Sequence, residues 1–143
     1  MFRATVIVCL AFLTGCSSFN RDWRAAGKLP CAGDPVAGRW EGIWKSDANQ
    51  HSDKLRCLLT QVSDGKYEAR FRAKYKKVLS FSYTATFQGT KKDSEFSFSG
   101  DADLGKLAGG IYYYRGEISP TNFVSTYRSK YDHGTFHLAR PTK

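Results

Sequence analysis

The sequence predicts an all-β fold, a small antiparallel up-and-down barrel of about eight strands. Three observations predict it: period-2 alternation from Gly38 onward, turn residues at short intervals, and glycines inside an otherwise strand-like segment. Alternation sends successive side chains to opposite faces of a pleated strand, so one face packs while the other meets water. A two-sheet β-sandwich would use the same alternation, and closure into a barrel is preferred because it leaves no exposed edge.

The elements read in order as Gly38 to Ser46, Lys54 to Ser63, Lys66 to Lys76, Val78 to Gln88, Ser94 to Gly100, Leu107 to Ile118, Phe123 to Tyr131 and Thr135 to Ala139. The third is clearest: Tyr67, Ala69, Phe71, Ala73 and Tyr75 alternate with Glu68, Arg70, Arg72, Lys74 and Lys76. In the fourth, Phe81, Tyr83, Ala85 and Phe87 alternate with Ser82, Thr84 and Thr86, and in the fifth Phe96 and Phe98 alternate with Ser97 and Ser99. Asp64-Gly65 is a strong hairpin signal between the second and third. Gln88 to Asp93, Pro120 to Asn122 and Asp132 to Gly134 divide the later pairs. Gly109-Gly110 and Gly116 fall inside the sixth segment, where glycine marks a bulge or the tight bend a barrel corner needs.

With 143 residues the chain has room for one domain of ordinary size. Its 41% hydrophobic and 24% charged residues exclude both wholesale disorder and a multi-span membrane protein. The start is different. Met1-Phe-Arg3 is short and basic, and Ala4 to Phe12 is apolar except for Thr5, too brief to span a bilayer and arranged like a removable export signal. Leu13-Thr14-Gly15-Cys16 resembles the bacterial lipobox. That resemblance implies cleavage before Cys16, with fatty acyl chains such as palmitate on its sulfur and amine. Several chains together would anchor the protein firmly without a span. The expected layout is a signal peptide over 1–15, a lipidated tether over 16–37 and the barrel over 38–143. Ser17 in place of Asp implies forwarding to the outer membrane, the plasma membrane surface being the other destination.

Cys9 would leave with the signal and Cys16 would carry lipid, so Cys31 and Cys57 remain. In an exported chain two thiols suggest one disulfide. It would close a loop of about 25 residues and stabilise by roughly 3 kcal/mol; two separate buried thiols are the alternative. Residues 17–35 hold two prolines, Pro30 and Pro35, and no sustained periodicity, and read as a tether with Trp23 able to dock on the domain.

Gly38-Arg-Trp40-Glu-Gly42-Ile-Trp44 opens the domain, and its Gly-x-Trp resembles the first strand of lipocalin-like and avidin-like barrels, the calycin type. The resemblance implies a tryptophan closing one end and a cavity for a small apolar or amphipathic ligand. Trp40 or Trp44 would close the barrel, with Phe71, Tyr83, Phe96, Phe98 and Tyr113 as candidate lining residues. Trp44-Lys-Ser-Asp47, Leu55-Arg-Cys57, Gly109-Gly-x-Tyr112 and Tyr131-Asp-His-Gly134 are also similar to a group of small uncharacterised exported bacterial proteins, which supplies no chemistry.

Catalytic readings are weak. His133 and His137 lie four residues apart on a strand, roughly 13 Å, too far to share one metal. Asp47, His51 and Asp53 share a loop that reads as solvated, and Asp132-His133 reads as a turn, with no Gly-x-Ser-x-Gly nucleophile motif in the chain. Glu41, Glu68, Glu95 and Glu117 lie on separate strands, and Asp101-Ala-Asp103-Leu-Gly105 lacks the spacing of a calcium loop. The expectation is a non-catalytic protein with no cofactor and no metal. Loss of residues 1–15 removes only Arg3, leaving 21 basic and 13 acidic residues, net +8. The densest basic stretch is Arg70, Arg72, Lys74, Lys76 and Lys77, with Lys91 and Lys92 at the next turn. Export argues against nucleic acid and for an anionic envelope polymer, lipid or protein as partner of that face. A solvated face that discourages edge pairing would look the same.

Overall fold

The structure, a computed structural model, describes residues 18–28 and 33–142. Eight antiparallel strands form a closed barrel in which each pairs with its sequence neighbours and the first closes on the last. They are β1 (Gly38–Ser46), β2 (Ser52–Ser63), β3 (Lys66–Tyr75), β4 (Leu79–Lys92), β5 (Glu95–Asp103), β6 (Ile111–Ile118), β7 (Asn122–Arg128) and β8 (His133–Ala139). The alternation in β3 is realised: Tyr67, Ala69, Phe71 and Ala73 are buried inside while Glu68 and Lys74 are exposed.

Several strand boundaries differ from the sequence reading by a few residues, and two of the shifts turn on glycines. The turn after β4 is Asp93-Ser94 rather than Gln88 to Asp93, because Thr90, Lys91 and Lys92 continue the ladder opposite Ser97, Phe96 and Glu95. Gly89 permits this extension, since a Cβ there would collide with the Ser97 carbonyl oxygen. Gly109 and Gly110 lie in the loop before β6, both at positive φ, and not within the strand. Gly116 is inside β6 as expected, where a Cβ would strike the Val124 carbonyl of the adjacent strand, so glycine lets the wall bend sharply.

One end of the barrel is plugged. Trp40 is fully buried, donates its indole N–H to the Val36 carbonyl at 2.9 Å, and meets the Phe123 ring edge-on at 5.7 Å. The Arg140 guanidinium lies 3.9 Å from the centre of the Trp40 ring. Arg140 also donates to the carbonyls of Pro35 (2.8 Å), Arg39 (3.1 Å) and Pro120 (3.3 Å), binding both chain segments that cross this end. Beside it, the Asp34 carboxylate accepts from the Tyr67 hydroxyl at 2.6 Å, from the Val36 amide and from Lys91. Burial pushes the Asp34 carboxyl up, but those three donors outweigh it and hold it below its usual 3.8. Beneath the plug, rings fill the interior: Phe87 stacks on Phe98 at 4.1 Å, and Tyr67 packs on Phe96 at 4.8 Å.

The segment expected to be a tether contains a helix, α1, over 18–26. Phe19, Trp23 and Ala26 stand at i, i+4 and i+7, one helical face, and pack on Leu58, which projects outward from β2. Arg39 and Arg56 each place a guanidinium 5.3 Å from the Trp23 ring, and Arg70 pairs with Asp22 at 2.7 Å while lying over Phe19. The two prolines follow the helix and do not interrupt it.

The expected disulfide is corrected at one partner: Cys57 is a free thiol inside the barrel, opposite Trp40 and Phe71 in the ladders. Its inward position on a strand buried on that face explains this, and burial pushes the thiol well above its usual range. Cys31 and Cys16 lie outside the described residues.

Replacing Trp23 by alanine removes the ring held between Leu58 and the two guanidiniums. The expected cost is about 3 kcal/mol, with amide exchange accelerated over 18–26 and unchanged in β4 to β7.

Candidate binding site at the barrel mouth

The opposite end is open. Because the strands alternate in direction, its loops are those after β1, β3, β5 and β7, spanning 47–51, 76–78, 104–110 and 129–132. Between them a cavity of about 550 Å³ enters the barrel, within the range of about 300–1,000 Å³ typical of small-molecule sites. It exists because inward positions here are occupied by smaller side chains, Ala73 and Leu55, facing each other across β2 and β3. Phe136 adds to the apolar wall.

Tyrosines set the character of the walls. Tyr83, Tyr112, Tyr114 and Tyr127 line the cavity, and Trp44, Tyr75, Phe81, Leu107 and Tyr131 form its rim. Tyr83 stacks on Phe71 at 5.1 Å and interacts with the Tyr114 hydroxyl, and Tyr112 packs against Tyr127 at 6.0 Å. Trp44 is held by donation of its indole N–H to the Lys74 carbonyl at 2.9 Å and stacks on Tyr75. Burial raises the phenols of Tyr83, Tyr114 and Tyr127 well above 10, and the Asp132 carboxylate adds to the effect at Tyr127. All three therefore stay neutral and can donate or accept a hydrogen bond at an otherwise aromatic surface.

Asp132 is the carboxylate at this site. It accepts from the buried Ser46 hydroxyl at 2.5 Å and from Tyr127 at 3.4 Å, while Ser129 accepts from the Asp132 amide to hold the loop. This orientation turns it away from a dyad with His133, which is exposed on the outer wall. The glutamates stay outside as well: Glu41 pairs loosely with Arg56, and Glu68, Glu95 and Glu117 are exposed. Asp53 accepts from the amides of Lys54 and Lys77, which hold its carboxyl below 3.8. Among the described residues no group of three His, Cys, Asp or Glu side chains is placed to hold a metal.

The sequence candidates divide between the two ends. Tyr83 and Trp44 belong to the mouth, and Phe71 lies below Tyr83. Trp40 is the one at the plugged end, where Phe96 and Phe98 are packing and not lining. Tyr113 is corrected: it is 59% exposed on the outer wall, because the β6 register sends Tyr112, Tyr114 and Ile118 inward. Tyr112, Tyr114 and Tyr127 were the rings to choose, and parity with the inward Ile118 and Phe123 was the available signal. The outer face of β4 to β8 carries a larger depression, about 880 Å³, lined by Asp101, Arg115, Arg128 and His133. It has polar walls of both signs, whereas the mouth is predominantly apolar. Of the basic stretch, Arg70 is engaged by α1, Arg72 and Lys74 project from the outer wall, and Lys76 and Lys77 form the β3–β4 turn.

These features define the class: a closed eight-stranded antiparallel barrel with one sealed end and one mostly aromatic mouth that carries Asp132 and Lys106. No protein-family model matches the chain, and neither a curated protein nor a solved structure matches it. Among the described residues no helix is long and apolar enough to cross a membrane.

A raised phenol pKa stabilises the fold below the unfolded value near 10 and loses that contribution as pH rises through it. Tyr114→Phe should therefore flatten the alkaline fall of stability relative to the parent chain above about pH 10, as read by urea midpoints at neutral and alkaline pH.

Proposed function

We propose that this chain is a lipid-anchored envelope protein whose barrel binds a small amphipathic ligand at its mouth and performs no chemistry on it. The cavity carries the reading: rings from Tyr83, Tyr112, Tyr114 and Tyr127 suit an apolar body, and their neutral hydroxyls suit a polar end. The resemblance of Gly38-Arg-Trp40 to calycin barrels and of Leu13-Thr14-Gly15-Cys16 to the lipobox supports it. The anchor would hold the protein at the outer membrane or, failing that, at the plasma membrane surface. A basic adaptor face on β3 is the weaker reading, since Arg70 is committed to Asp22 of α1.

The test is a titration with a fluorescent fatty acid, read through Trp44 at the rim. Ala73→Phe fills the cavity and should weaken binding about tenfold or more, whereas Phe98→Leu in the filled half should leave it unchanged. Equal affinity in the filled and unfilled barrels would contradict the reading. In bacterial cells labelled with palmitate, Cys16→Ala should abolish palmitate incorporation and release the protein from membranes.

A further inference from the structure

The three most exposed large apolar side chains lie together at the open end, while Ile43, Val62 and Tyr113 are exposed elsewhere on the barrel. Val78 (82% exposed) and Leu107, fully exposed, sit with Tyr131 on loops of the open end, and Leu79 opens β4 beside Val78. Each of these three loops also carries lysine: Lys76-Lys77 beside Val78-Leu79, Lys106 beside Leu107, and Lys130 beside Tyr131. An apolar tip with adjacent ammonium groups has two needs, a place out of water for the tip and negative charge at its edge. A bilayer interface with anionic headgroups meets both at once. A soluble anionic polymer meets only the second.

The backbone holds this arrangement deliberately. Lys76 and Lys77 both take positive φ, 52° and 63°, a conformation that glycine or asparagine adopts more cheaply. The turn is nonetheless fixed, because the Asp53 carboxylate accepts the Lys77 amide at 2.7 Å. The acidic groups near the mouth are largely turned to other work: Asp53 on this turn, Asp132 on Ser46, and Asp103 on the Gly105 amide. Asp47 lines the outer depression and not the mouth cavity.

From this geometry we propose that the mouth of the barrel docks on an anionic lipid bilayer, with Val78, Leu79, Leu107 and Tyr131 entering the interface and Lys76, Lys77, Lys106 and Lys130 contacting headgroups. Docking presses the open cavity against the leaflet, so an amphipathic ligand passes between lipid and barrel without crossing water. This purpose rests on the cavity reading, but the docking itself rests on the loops alone. The opposite end supplies a control, since Val62 is 59% exposed near the sealed end.

The experiment uses the full chain with vesicles of phosphatidylcholine, with or without phosphatidylglycerol. An environment-sensitive dye is attached at Leu107→Cys, Val78→Cys or Val62→Cys, and the unsubstituted chain treated in parallel supplies the background. Dyes at 107 and 78 should be quenched by brominated acyl chains only when phosphatidylglycerol is present, and the dye at 62 should not. Lys76→Gln with Lys77→Gln should weaken the response roughly twenty-fold, and Leu107→Gln about tenfold. Equal quenching at all three positions, quenching indifferent to phosphatidylglycerol, or tighter binding to soluble polyglutamate than to vesicles would each overturn the proposal. Fatty-acid binding that persists while the mouth dyes stay unquenched overturns docking alone and leaves the cavity reading in place.

Discussion

The contact between Arg140 and Trp40 decides which way this barrel faces. A guanidinium lying 3.9 Å from the centre of an indole ring, with its remaining donors on the carbonyls of Pro35, Arg39 and Pro120, ties the two ends of the barrel sequence over one opening. Such a stack is worth about 2 kcal/mol when shielded from water, and its geometric effect is larger than its energy. It fixes residues 34–37 as a lid, places Asp34 among Tyr67, Val36 and Lys91, and leaves only the other end open.

The interior then separates into two halves with different duties. Below the lid, Phe87, Phe96, Phe98 and Phe123 fill the space between opposite walls, so this half supplies packing stability and has no room for a guest. Towards the mouth the inward positions include Ala73, and the tyrosines line the walls without filling the centre. Stability concentrated in one half permits a less densely packed, adaptable site in the other. Outside, α1 covers the apolar Leu58 and draws Arg39, Arg56 and Arg70 into its own support. What is left of the positive charge at the mouth stands beside apolar tips, a combination that favours an interface over open water.

Much of the architecture was legible because one physical rule, burial of alternate side chains, governs every strand. The Tyr67 to Tyr75 alternation appears in the structure without revision. What period-2 reasoning could not supply was parity at a point where both faces are aromatic: in Tyr112-Tyr113-Tyr114 either register looks plausible locally, and only continuation to Ile118 selects Tyr114. The helix was hidden for a different reason. Its apolar face is three residues, Phe19, Trp23 and Ala26, in a stretch that two nearby prolines make look irregular. The extension of β4 past Gln88 depends on pairing with β5, a long-range fact that turn-forming residues obscure. Cys57 faces the core, and a count of thiols carries no information about facing. The role of Arg140 was likewise invisible, since Trp40 and the carbonyls of Pro35 and Arg39 lie about a hundred residues away.

The proposed binding role requires that one end of the barrel be sealed and that the other receive the ligand. The most direct test is an NMR titration of the protein with laurate, following aromatic resonances at both ends. Shifts confined to Tyr83, Tyr112, Tyr114, Tyr127 and Trp44, with Trp40, Phe96 and Phe98 unmoved, are the predicted result. Shifts centred on Trp40 and its neighbours, or no saturable change at the mouth, would contradict it.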